Sequence, residues 1–532
     1  MVTLLDYGAG NVRSVVNAIQ SLGHSVRFVQ SAEDILSAEK LVFPGVGAFG
    51  SMMRALRNKG FVEPLRRYLE ANRPFLGICL GLQVLFQRSE EDPSEEGLGF
   101  FKGRVRRFRV NLAVPHIGWN GIKPRKPSAL FQGLEGEEKF YFVHSYHVDP
   151  EDSELVLTTT DYGREFVSAV QKGRVAAVQF HPEKSGSVGL GILKNFLEAL
   201  EAPSVLPPKA PARTQLAKRI IACLDVRSND QGDLVVTKGD QYDVREKGVV
   251  RNLGKPVDLA RRYYEEGADE ITFLNITGFR DFPLKDLPML EVLERTSENV
   301  FVPLTIGGGI RDYVDKDGTE YSALQVASAY FRSGADKVSI GSDAVLIVED
   351  VLRTGKATGR SAIETISRLY GSQAVVISID PRRVYVASPH EVPHHVLETQ
   401  IPGPHGERYC WYQCTIKGGR EGRPVDAVTL ARVCEELGAG EILLNCIDRD
   451  GTNMGFDVEL INAVKESVGL PVIASSGAGC AEHFLEVFTR TRAESALAAG
   501  IFHRNEVSIG AVKTFLQGKV PVRPTPHRTP ER

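Results

Sequence analysis

Cys223-Leu224-Asp225-Val226-Arg227 recurs in altered form as Ser378-Ile379-Asp380-Pro381-Arg382. Two more matched pairs follow these copies in the same order along the chain. They are Gly267-Ala268-Asp269-Glu270-Ile271 with Gly438-Ala439-Gly440-Glu441-Ile442, and Gly307-Gly308-Gly309 with Ser476-Gly477-Ala478-Gly479. Because one chance echo is plausible but three in order are not, the second part of the chain is predicted to be an internal duplication.

Eight short apolar runs carry these repeats, and helical patterns separate nearly all of them. The runs are 220–224, 271–274, 302–306, 337–340, 374–379, 442–446, 472–475 and 496–499. Eight strand–helix units in about 300 residues are typical of a (β/α)8 (TIM) barrel. We therefore expect an α/β protein whose residues 218–520 form a barrel with a two-fold internal repeat.

Residues 1–200 alternate shorter apolar runs with amphipathic stretches, which predicts a separate α/β domain with a largely parallel sheet. The segment 202–211 is rich in proline and favours neither helix nor strand. It predicts a semi-rigid linker over 201–217, and residues 521–532 are expected to be a flexible tail.

Composition restricts the class of protein. The 532 residues are 42% hydrophobic and 25% charged with a formal net charge of −3, which gives no electrostatic reason to expect nucleic acid. No apolar run is long enough to cross a bilayer and no signal or transit peptide is visible. Seven sparse cysteines indicate a reducing compartment without disulfides. We expect a soluble small-molecule enzyme, cytoplasmic as it stands or plastid if a transit peptide has been removed.

Neither a metal nor a cofactor is expected. His390, His394 and His395 lie in a proline-rich stretch without carboxylates or thiolates beside them, which favours a surface loop over a metal site. The basic residues between Lys102 and Arg109 interleave with apolar ones, as in a half-exposed strand, and this favours a strand over a nucleic-acid patch.

Gly77-Ile78-Cys79-Leu80-Gly81 joins a strand-like run to a helical pattern, with glycines that permit a tight turn. This arrangement is the thiol counterpart of a nucleophile elbow. A cysteine at such a turn gains acidity from the helix N-terminus and a nearby imidazole, so its thiolate can attack a carboxamide. Alone, the pentapeptide would favour a small buried cysteine at a strand end.

Two other sequence elements favour a catalytic cysteine over a structural one. A predicted strand, 175–180, ends in His181-Pro182-Glu183, and residues two apart on an extended chain share a face, so Glu183 can orient His181 as a base. The run Pro44-Gly45-Val46-Gly47-Ala48-Phe49-Gly50 offers backbone N–H groups to an oxyanion.

In order and spacing, these three elements resemble class I glutamine amidotransferases. The resemblance implies that Cys79 is the nucleophile, His181 the base and then acid, and Glu183 the residue that orients it. It also implies an oxyanion site at Gly47, and glutamine contacts from Gln83 and His144-Ser145-Tyr146.

Barrel enzymes carry their chemistry at the C-terminal ends of the strands. Asp225 and Asp380 are predicted to end the first and fifth strands, on opposite sides of the mouth, where they could act as general acid and general base. Singly, each aspartate would be more typical of a helix N-cap. Their equivalence under the repeat favours catalysis.

Glycine-rich strand ends let backbone amides approach a phosphate. Such ends recur under the repeat, which predicts two phosphate sites and hence an elongated substrate with a phosphate at each end. The residues concerned are Gly308, Gly309, Gly341 and Ser342 for one site, and Gly477 and Gly500 for the other.

The barrel half resembles the cyclase subunit of imidazole glycerol phosphate synthases, and the whole chain resembles their fused eukaryotic form. The matching motifs are Ile221-Ala222-Cys223-Leu224-Asp225-Val226, Gly334-Ala335-Asp336-Lys337-Val338-Ser339 and Asp448-Arg449-Asp450-Gly451. The resemblance implies that ammonia from glutamine converts phosphoribulosyl formimino aminoimidazole carboxamide ribotide to imidazole glycerol phosphate and aminoimidazole carboxamide ribotide. It also implies substrate contacts from Lys238, Asp450 and Gly451. Residues 230–252 could form a lid, and 384–412 resemble an insertion.

Four charges of alternating type lie at or just before the starts of barrel strands, at Arg219, Glu270, Lys337 and Glu441. A solvated rim is the simpler interpretation, whereas the resemblance implies a gate through which ammonia enters. Lys184 and Asp336 are candidates for an interdomain ion pair. We therefore expect the first domain to cap the N-terminal face of the barrel.

Small-molecule substrates are the expected partners, without nucleic acid or membrane, and a monomer is compatible with both activities on one chain. Two alternatives stay open. One is an amidotransferase feeding a different bisphosphorylated ribotide, or a barrel that isomerises such a ribotide. The other is a scaffold whose triad has decayed, which the intact Cys79, His181 and Glu183 disfavour.

Overall fold

The computed structural model describes residues 1–228, 234–237, 245–246, 249–250, 253–276, 284, 288–315 and 317–525. Lys238 and most of the candidate lid at 230–252 lie outside these residues.

An α/β domain occupies the first 200 residues. Its strands β1 to β13 are Val2–Leu4, Val26–Phe28, Leu41–Gly45, Phe75–Cys79, Arg88–Ser89, Gly103–Arg107, His116–Gly121, Lys123–Pro124, Lys139–His144, Tyr146–Pro150, Val156–Tyr162, Arg164–Lys172 and Val175–Val178. Its helices α1 to α6 are Val12–Ser21, Ala32–Ser37, Phe49–Asn58, Val62–Glu70, Leu80–Gln83 and Gly186–Glu198.

The main sheet of this domain is mixed, which differs from the expected largely parallel sheet. Strands β2-β1-β3-β4-β13 are parallel, and the sheet then continues through the antiparallel strands β12, β10 and β6. Gly163 and Gly173, with φ of +66° and +58°, lie in the turns that join β11 to β12 and β12 to β13. Because glycine adopts positive φ without steric cost, these turns allow hairpins. In β6, Arg104 is exposed and Val105 buried, so the prediction of a half-exposed strand is confirmed.

The second half of the chain contains the closed barrel. Its described strands β14 to β30 are Arg219–Ser228, Leu234–Thr237, Arg245–Glu246, Val249–Val250, Glu270–Asn275, Leu304–Gly307, Tyr313–Val314, Glu320–Tyr321, Lys337–Ile340, Val375–Ile379, Pro381–Val386, Val396–Glu398, Tyr409–Ile416, Glu421–Asp426, Glu441–Asn445, Val472–Ser475 and Ser495–Ala498. Its described helices α7 to α16 are Pro256–Glu265, Pro288–Ser297, Ala323–Arg332, Ser342–Thr354, Ala362–Tyr370, Ala427–Glu436, Val458–Ser467, Ala481–Arg490, Gly500–His503 and Ile509–Leu516.

Eight parallel strands close the barrel in the order β14-β18-β19-β22-β23-β28-β29-β30, and β30 pairs back with β14. Each of the eight predicted strands is present, so the barrel prediction is confirmed. Inward-facing apolar side chains line its centre; they are Ile221, Cys223, Val376, Leu443, Ile473 and Leu497.

Strand β14 is longer than predicted, and Asp225 lies within it instead of ending it. The chain beyond Asp225 stays extended because β15 folds back on it in an antiparallel pair, with Asp225 opposite Thr237. On the other side, Asp225 is in register with Leu274 of β18. Asp380 follows β23 directly, as predicted.

Residues 381–426 form a small antiparallel sheet, β24 to β27, that contains the expected insertion. Arg383 anchors this sheet to the barrel through Asp457, with Nη2 to Oδ2 at 2.7 Å and both side chains buried. The ring of His394 stacks on Trp411 within the sheet.

The first domain lies on the N-terminal face of the barrel, as expected. Its polar contacts reach residues just before barrel strands. Asn11 donates to Asp336 Oδ1 at 2.8 Å, Trp119 Nε1 donates to the Asp269 carbonyl at 3.0 Å, and Lys184 Nζ is 2.8 Å from Asp336 Oδ2. The expected ion pair between Lys184 and Asp336 is thus present at the domain interface.

The linker and the C-terminal segment both pack on the folded domains. Val205 exchanges backbone hydrogen bonds with Ser128, and the Ala217 N–H donates to the Trp119 carbonyl at 2.8 Å. Residues 521–532 are expected to be a flexible tail, but the first of them pack on the barrel. The buried Arg523 donates a hydrogen bond to Asp269 at 2.7 Å. Residues 526–532 lie outside the described part of the chain.

Candidate active site

Cys79 sits in a strained turn between β4 and the one-turn helix α5, with φ of +54° and ψ of −105°. The strain therefore falls on the cysteine itself and not on the flanking glycines. Gly77 and Gly81 are required for close packing: a Cβ on Gly81 would lie 2.1 Å from the Phe43 carbonyl oxygen, and one on Gly77 2.6 Å from the Gly81 carbonyl oxygen. Backbone strain of this kind is typical of functional residues.

His181 and Glu183 form a buried pair beside Cys79. His181 Nδ1 is 2.7 Å from Glu183 Oε1, and both residues are about 96% buried, at 4% and 3% exposure. Burial disfavours the charged imidazolium, but Glu183 and Cys79 outweigh it and raise the pKa of His181 well above its ordinary value. Since Nδ1 is engaged by Glu183, Nε2 is the nitrogen left for the thiol.

One cavity brings together the predicted nucleophile, the predicted base and the predicted glutamine contacts, while Glu183 contacts His181 without lining the cavity. Its lining includes Gly47, Cys79, Gln83, His144, Ser145, Tyr146 and His181. Two residues that sequence reasoning missed also line it, Glu91 and, from the barrel, Gln373. Burial raises the pKa of Glu91 to about 7, and its Oε2 accepts a hydrogen bond from the Phe49 N–H at 2.8 Å. Both are single residues outside any motif, so one sequence carries no signal for them.

The loop around Gly47 is held from both domains. Tyr7 donates its hydroxyl to the Val46 carbonyl, and the Ala48 N–H donates to the Leu369 carbonyl of the barrel at 3.3 Å. Gly47 has φ of +136°, and a Cβ there would lie 2.7 Å from the Tyr7 hydroxyl and 2.9 Å from the Leu369 carbonyl oxygen. Only glycine fits this position without displacing one of the two neighbours.

The second cavity, of about 260 Å³, opens at the C-terminal face of the barrel. It brings together Asp225 and Asp380 from opposite sides, as predicted from the repeat. Asp450, Gly451, Gly477 and Gly500 line it as well.

Asp380 is half-buried and hydrogen-bonded at this cavity. Asn445 Nδ2 donates to Asp380 Oδ1 at 2.8 Å, and Ser378 Oγ lies 3.4 Å from the same oxygen. Burial raises the pKa of Asp380 above its usual value, and the two donors oppose that rise. A raised pKa favours the protonated form of a carboxyl, which is the form that supplies a proton.

The first candidate phosphate set does not line this cavity. Gly308 and Gly309, with φ of +95° and +77°, form the turn after β19, and Gly341 precedes the thirteen-residue helix α10. The Ser342 hydroxyl accepts a hydrogen bond from the Lys417 N–H of the β26–β27 hairpin at 3.1 Å. The hairpin therefore contacts Ser342 and also lines the cavity, through Gly418.

The four rim charges form a closed and fully buried ring, so the interpretation as a solvated rim is wrong. Lys337 Nζ lies 2.6 Å from both Glu270 Oε1 and Glu441 Oε2, and Arg219 Nη1 lies 2.6 Å from Glu270 Oε2. Arg219 also pairs with Glu441. Burial alone would raise the pKa of Glu441, but Arg219 and Lys337 outweigh it and lower the pKa.

Tyr141 connects this ring with the triad. Its carbonyl accepts the His181 N–H at 2.9 Å. Burial and then the charge of Glu270 raise the pKa of its phenol well above the ordinary value. Tyr141 thus touches the triad through its backbone and interacts electrostatically with the ring through its side chain.

Among the described residues, no group of three or more His, Cys, Asp or Glu side chains is placed to hold a metal ion. None of the described helices has the length and apolar character that a membrane span requires.

Comparison with known proteins divides the chain in the same way. Residues 3–200 match the family described as glutamine amidotransferase class-I, and residues 219–508 match the family described as histidine biosynthesis protein.

Full-length relatives carry both parts on one chain. A relative from Arabidopsis thaliana, named imidazole glycerol phosphate synthase hisHF, chloroplastic, is 59% identical and aligns over 97% of this chain and 88% of its own. Relatives named imidazole glycerol phosphate synthase hisHF from Emericella nidulans and Schizosaccharomyces pombe are each 55% identical, over 97% of this chain and 98% of theirs. The chain therefore belongs to the imidazole glycerol phosphate synthase family, as the fused bifunctional enzyme with a glutamine amidotransferase domain and a cyclase barrel.

Proposed function

We propose that the chain hydrolyses glutamine at Cys79 and passes the ammonia through the barrel to a ribotide held between Asp225 and Asp380. The ribotide is phosphoribulosyl formimino aminoimidazole carboxamide ribotide, and the products are imidazole glycerol phosphate and aminoimidazole carboxamide ribotide. The observation that carries this proposal is the placement of two cavities at opposite ends of one barrel, with the cysteine cavity against its N-terminal face.

In the first reaction, the Cys79 thiolate attacks the carboxamide carbon of glutamine. The oxyanion that forms accepts hydrogen bonds from backbone N–H groups of the Gly47 loop. His181, held by Glu183, gives its proton to the departing ammonia and then removes one from the water that hydrolyses the thioester. Glu91 is the one carboxylate that lines this cavity among the described residues. It is suited to pair with the α-ammonium of glutamine, beside Gln83.

In the second reaction, ammonia adds to the keto carbon of the ribotide. Asp380, whose pKa is raised, is suited to supply a proton, and Asp225 to remove one. Ring closure and cleavage then release the two products. Asp450, Gly451, Gly477 and Gly500 line the cavity where one phosphate would bind. Gly308, Gly309, Gly341 and Ser342, together with Lys238, stay proposals for contacts to the other end of the substrate.

The ring of Arg219, Glu270, Lys337 and Glu441 is proposed as the gate between the two reactions. Ammonia released into bulk water would be protonated and lose its nucleophilicity, so a sheltered path is an advantage. Each cation in the ring contacts both carboxylates, so transient opening of one ion pair would make a passage along the barrel axis.

The experiment that tests the proposal follows the absorbance of the ribotide during turnover with glutamine or with ammonium salt. We expect ribotide consumption with either nitrogen source, loss of the glutamine-dependent part in Cys79→Ala, and loss of both in Asp225→Asn. A Cys79→Ala protein that still used glutamine would contradict the assignment. A scaffold with a decayed triad predicts neither activity.

We further propose that a single chain suffices, with domains at 1–200 and 218–520 joined by 201–217. Sedimentation of the active enzyme should then give the mass of one chain. Both expected compartments, cytoplasm and plastid, are compatible with this function, and cell fractionation distinguishes them.

A further inference from the structure

Gln179 directly follows β13, two residues before His181, and its side chain is fully buried. Its Nε2 lies 3.5 Å from Cys79 Sγ. We infer that Gln179 is a positioning residue that stabilises the reactive thiolate form of Cys79 by donating an amide hydrogen bond to Sγ. This inference rests on the proposed function, because it concerns the nucleophile of the glutamine reaction.

The neighbours of Gln179 determine which end of its amide faces the sulfur. Gln83 Nε2 is 3.1 Å from the Tyr146 carbonyl oxygen, and a carbonyl oxygen only accepts, so this end of Gln83 must be the NH2 group. The same NH2 group donates to Gln179 Oε1 at 3.2 Å. Since the oxygen of Gln179 is engaged in this way, its NH2 group points to Cys79.

Two histidines continue this chain of hydrogen bonds beyond the Tyr146 carbonyl. His144 Nδ1 is 2.7 Å from the same Tyr146 carbonyl oxygen, and therefore donates to it. His144 Nε2 must then accept from His116 Nδ1, which is 3.1 Å away. Burial lowers the pKa of His144 to about 3 and the pKa of His116 well below its ordinary value. Both rings stay neutral at working pH, so the direction of the hydrogen bonds does not change.

The ionisable groups around the sulfur stay the same when Gln179 is replaced by an uncharged residue. His181 and Tyr7 interact electrostatically with Cys79. Glu91 and His144 line the same cavity, and the barrel residue Gln373 that reaches it is uncharged. A change in the behaviour of the thiol on replacing Gln179 would therefore report the lost amide donor.

Hydrogen bonds to charged groups have an effect large enough to measure. At pH values below the plateau of the pH profile, losing a hydrogen bond to a thiolate corresponds to about a 10- to 100-fold smaller population of the thiolate. The matched changes are Gln179→Met, which removes the donor with similar volume, and Gln179→Glu, which places an acceptor beside the sulfur.

The test measures the rate of Cys79 alkylation by iodoacetamide against pH in the full-length protein, together with kcat and KM for glutamine. We expect the midpoint of the alkylation profile to rise by about one pH unit in Gln179→Met and further in Gln179→Glu. The value of kcat should fall about 10-fold or more, with a small change in KM. Ammonia-dependent ribotide conversion should be unchanged, which also shows that the protein is folded.

Asn195→Leu is the control, because Asn195 is another buried amide of the same domain that donates only to backbone carbonyls, at 2.9 and 2.8 Å. It should lower Tm without moving the alkylation profile. Identical alkylation profiles for the wild type and both Gln179 variants would overturn the inference. Absent glutamine hydrolysis in the wild type would instead refute the proposed function, while the alkylation profiles would still test the hydrogen bond.

Discussion

The charge state of the glutamine site depends on two buried side chains, those of His181 and Glu183. Burial alone would leave the imidazole neutral, and the adjacent carboxylate reverses that tendency. An imidazolium beside a thiolate is the reactive combination, so Glu183 determines how much of the enzyme is active at a given pH.

Glu183→Gln should lower kcat for glutamine hydrolysis by about 10²- to 10⁴-fold, because the neutral amide cannot hold the imidazolium. The pKa of His181 should fall, so the alkaline limb of the pH profile should move to lower pH. The steady-state rate of glutamine hydrolysis, measured from about pH 6 to about pH 10 in steps of about one pH unit, checks this expectation. Glu198→Gln is the control, because Glu198 pairs with His24 at 3.0 Å in a solvent-accessible position. An unshifted profile in Glu183→Gln would exclude the role of Glu183.

Asn445→Ala should move the pH profile of ammonia-dependent cyclisation. Asn445 donates to the Asp380 carboxylate and so opposes the rise in pKa that burial causes. Without this donor the pKa of Asp380 should rise further, by about one unit or more, and the protonated form should persist to higher pH. The limb that reports Asp380 should therefore move to higher pH.

Ser378→Ala provides a graded comparison, because the Ser378 hydroxyl is farther from the carboxylate, at 3.4 Å. A smaller shift in the same direction is expected. If cyclisation by Asn445→Ala lost rate at every pH without a shift, Asn445 would act on substrate binding instead.

Single-residue roles were predictable where a motif surrounds the residue. Cys79 and His181 belong to ordered motifs, and the structure brings them to one cavity. Glu91 and Gln373 were missed because their position depends on how a loop and a second domain fold against the cavity. Gln373 is almost 300 residues away from Cys79 along the chain, and no local pattern encodes such a contact.

At the scale of elements, short apolar runs predicted the eight barrel strands, because nearly continuous burial is a local property of each strand. The end of β14 was not predictable in this way. Its continuation past Asp225 depends on pairing with β15, which is a non-local hydrogen-bonding choice. The antiparallel half of the first sheet likewise depends on hairpins, for which Gly163 and Gly173 were the available but unused signals.

The loop between β3 and α3 lines the glutamine cavity and is held by the barrel through the Leu369 carbonyl. Gly47→Ala should lower glutamine-dependent activity by about 10²- to 10³-fold, because the new Cβ displaces the loop and its oxyanion donors. Ammonia-dependent cyclisation should be retained, and parallel assays with the two nitrogen sources check this. Gly191→Ala is the control, since a Cβ at Gly191 meets nothing within 4 Å. Full glutamine activity in Gly47→Ala would show that the loop is not part of the site.

At the scale of the whole molecule, the burial of the charged ring could not be read from the sequence. Charged residues at strand starts are usually solvated, whereas here the first domain lies against the ring, with Gly118 close to the Arg219 side chain. Arg219, for example, is 0% exposed, and the side chain of Leu216 from the linker lies close beside Gly118 in the same region.

Glu441→Gln should uncouple the two reactions while preserving the volume of the side chain. The ring would lose one negative charge, leaving Arg219 and Lys337 to share Glu270, and the passage would open or leak. We expect glutamine hydrolysis to exceed ribotide conversion, where the wild type should keep them near one to one. Measuring glutamate and imidazole glycerol phosphate in the same reaction checks the ratio.

Glu466→Gln is a suitable control for this change, because Glu466 lies in the helix α13 on the outer layer of the barrel and is exposed, away from the ring. Since a broken buried ion pair can cost about 3–5 kcal/mol, Tm of Glu441→Gln is measured alongside. Preserved coupling in a folded Glu441→Gln enzyme would exclude the gate.

The linker packs along the first domain, through Val205, Lys209 and Ala217, instead of hanging free between the halves. A protease cut within 202–211 should therefore leave both halves bound through contacts such as Lys184 with Asp336. What the continuous polypeptide provides is a fixed stoichiometry and a high effective concentration. A cell that translates this one message cannot accumulate an ammonia-producing half without an equal number of acceptors for its toxic product.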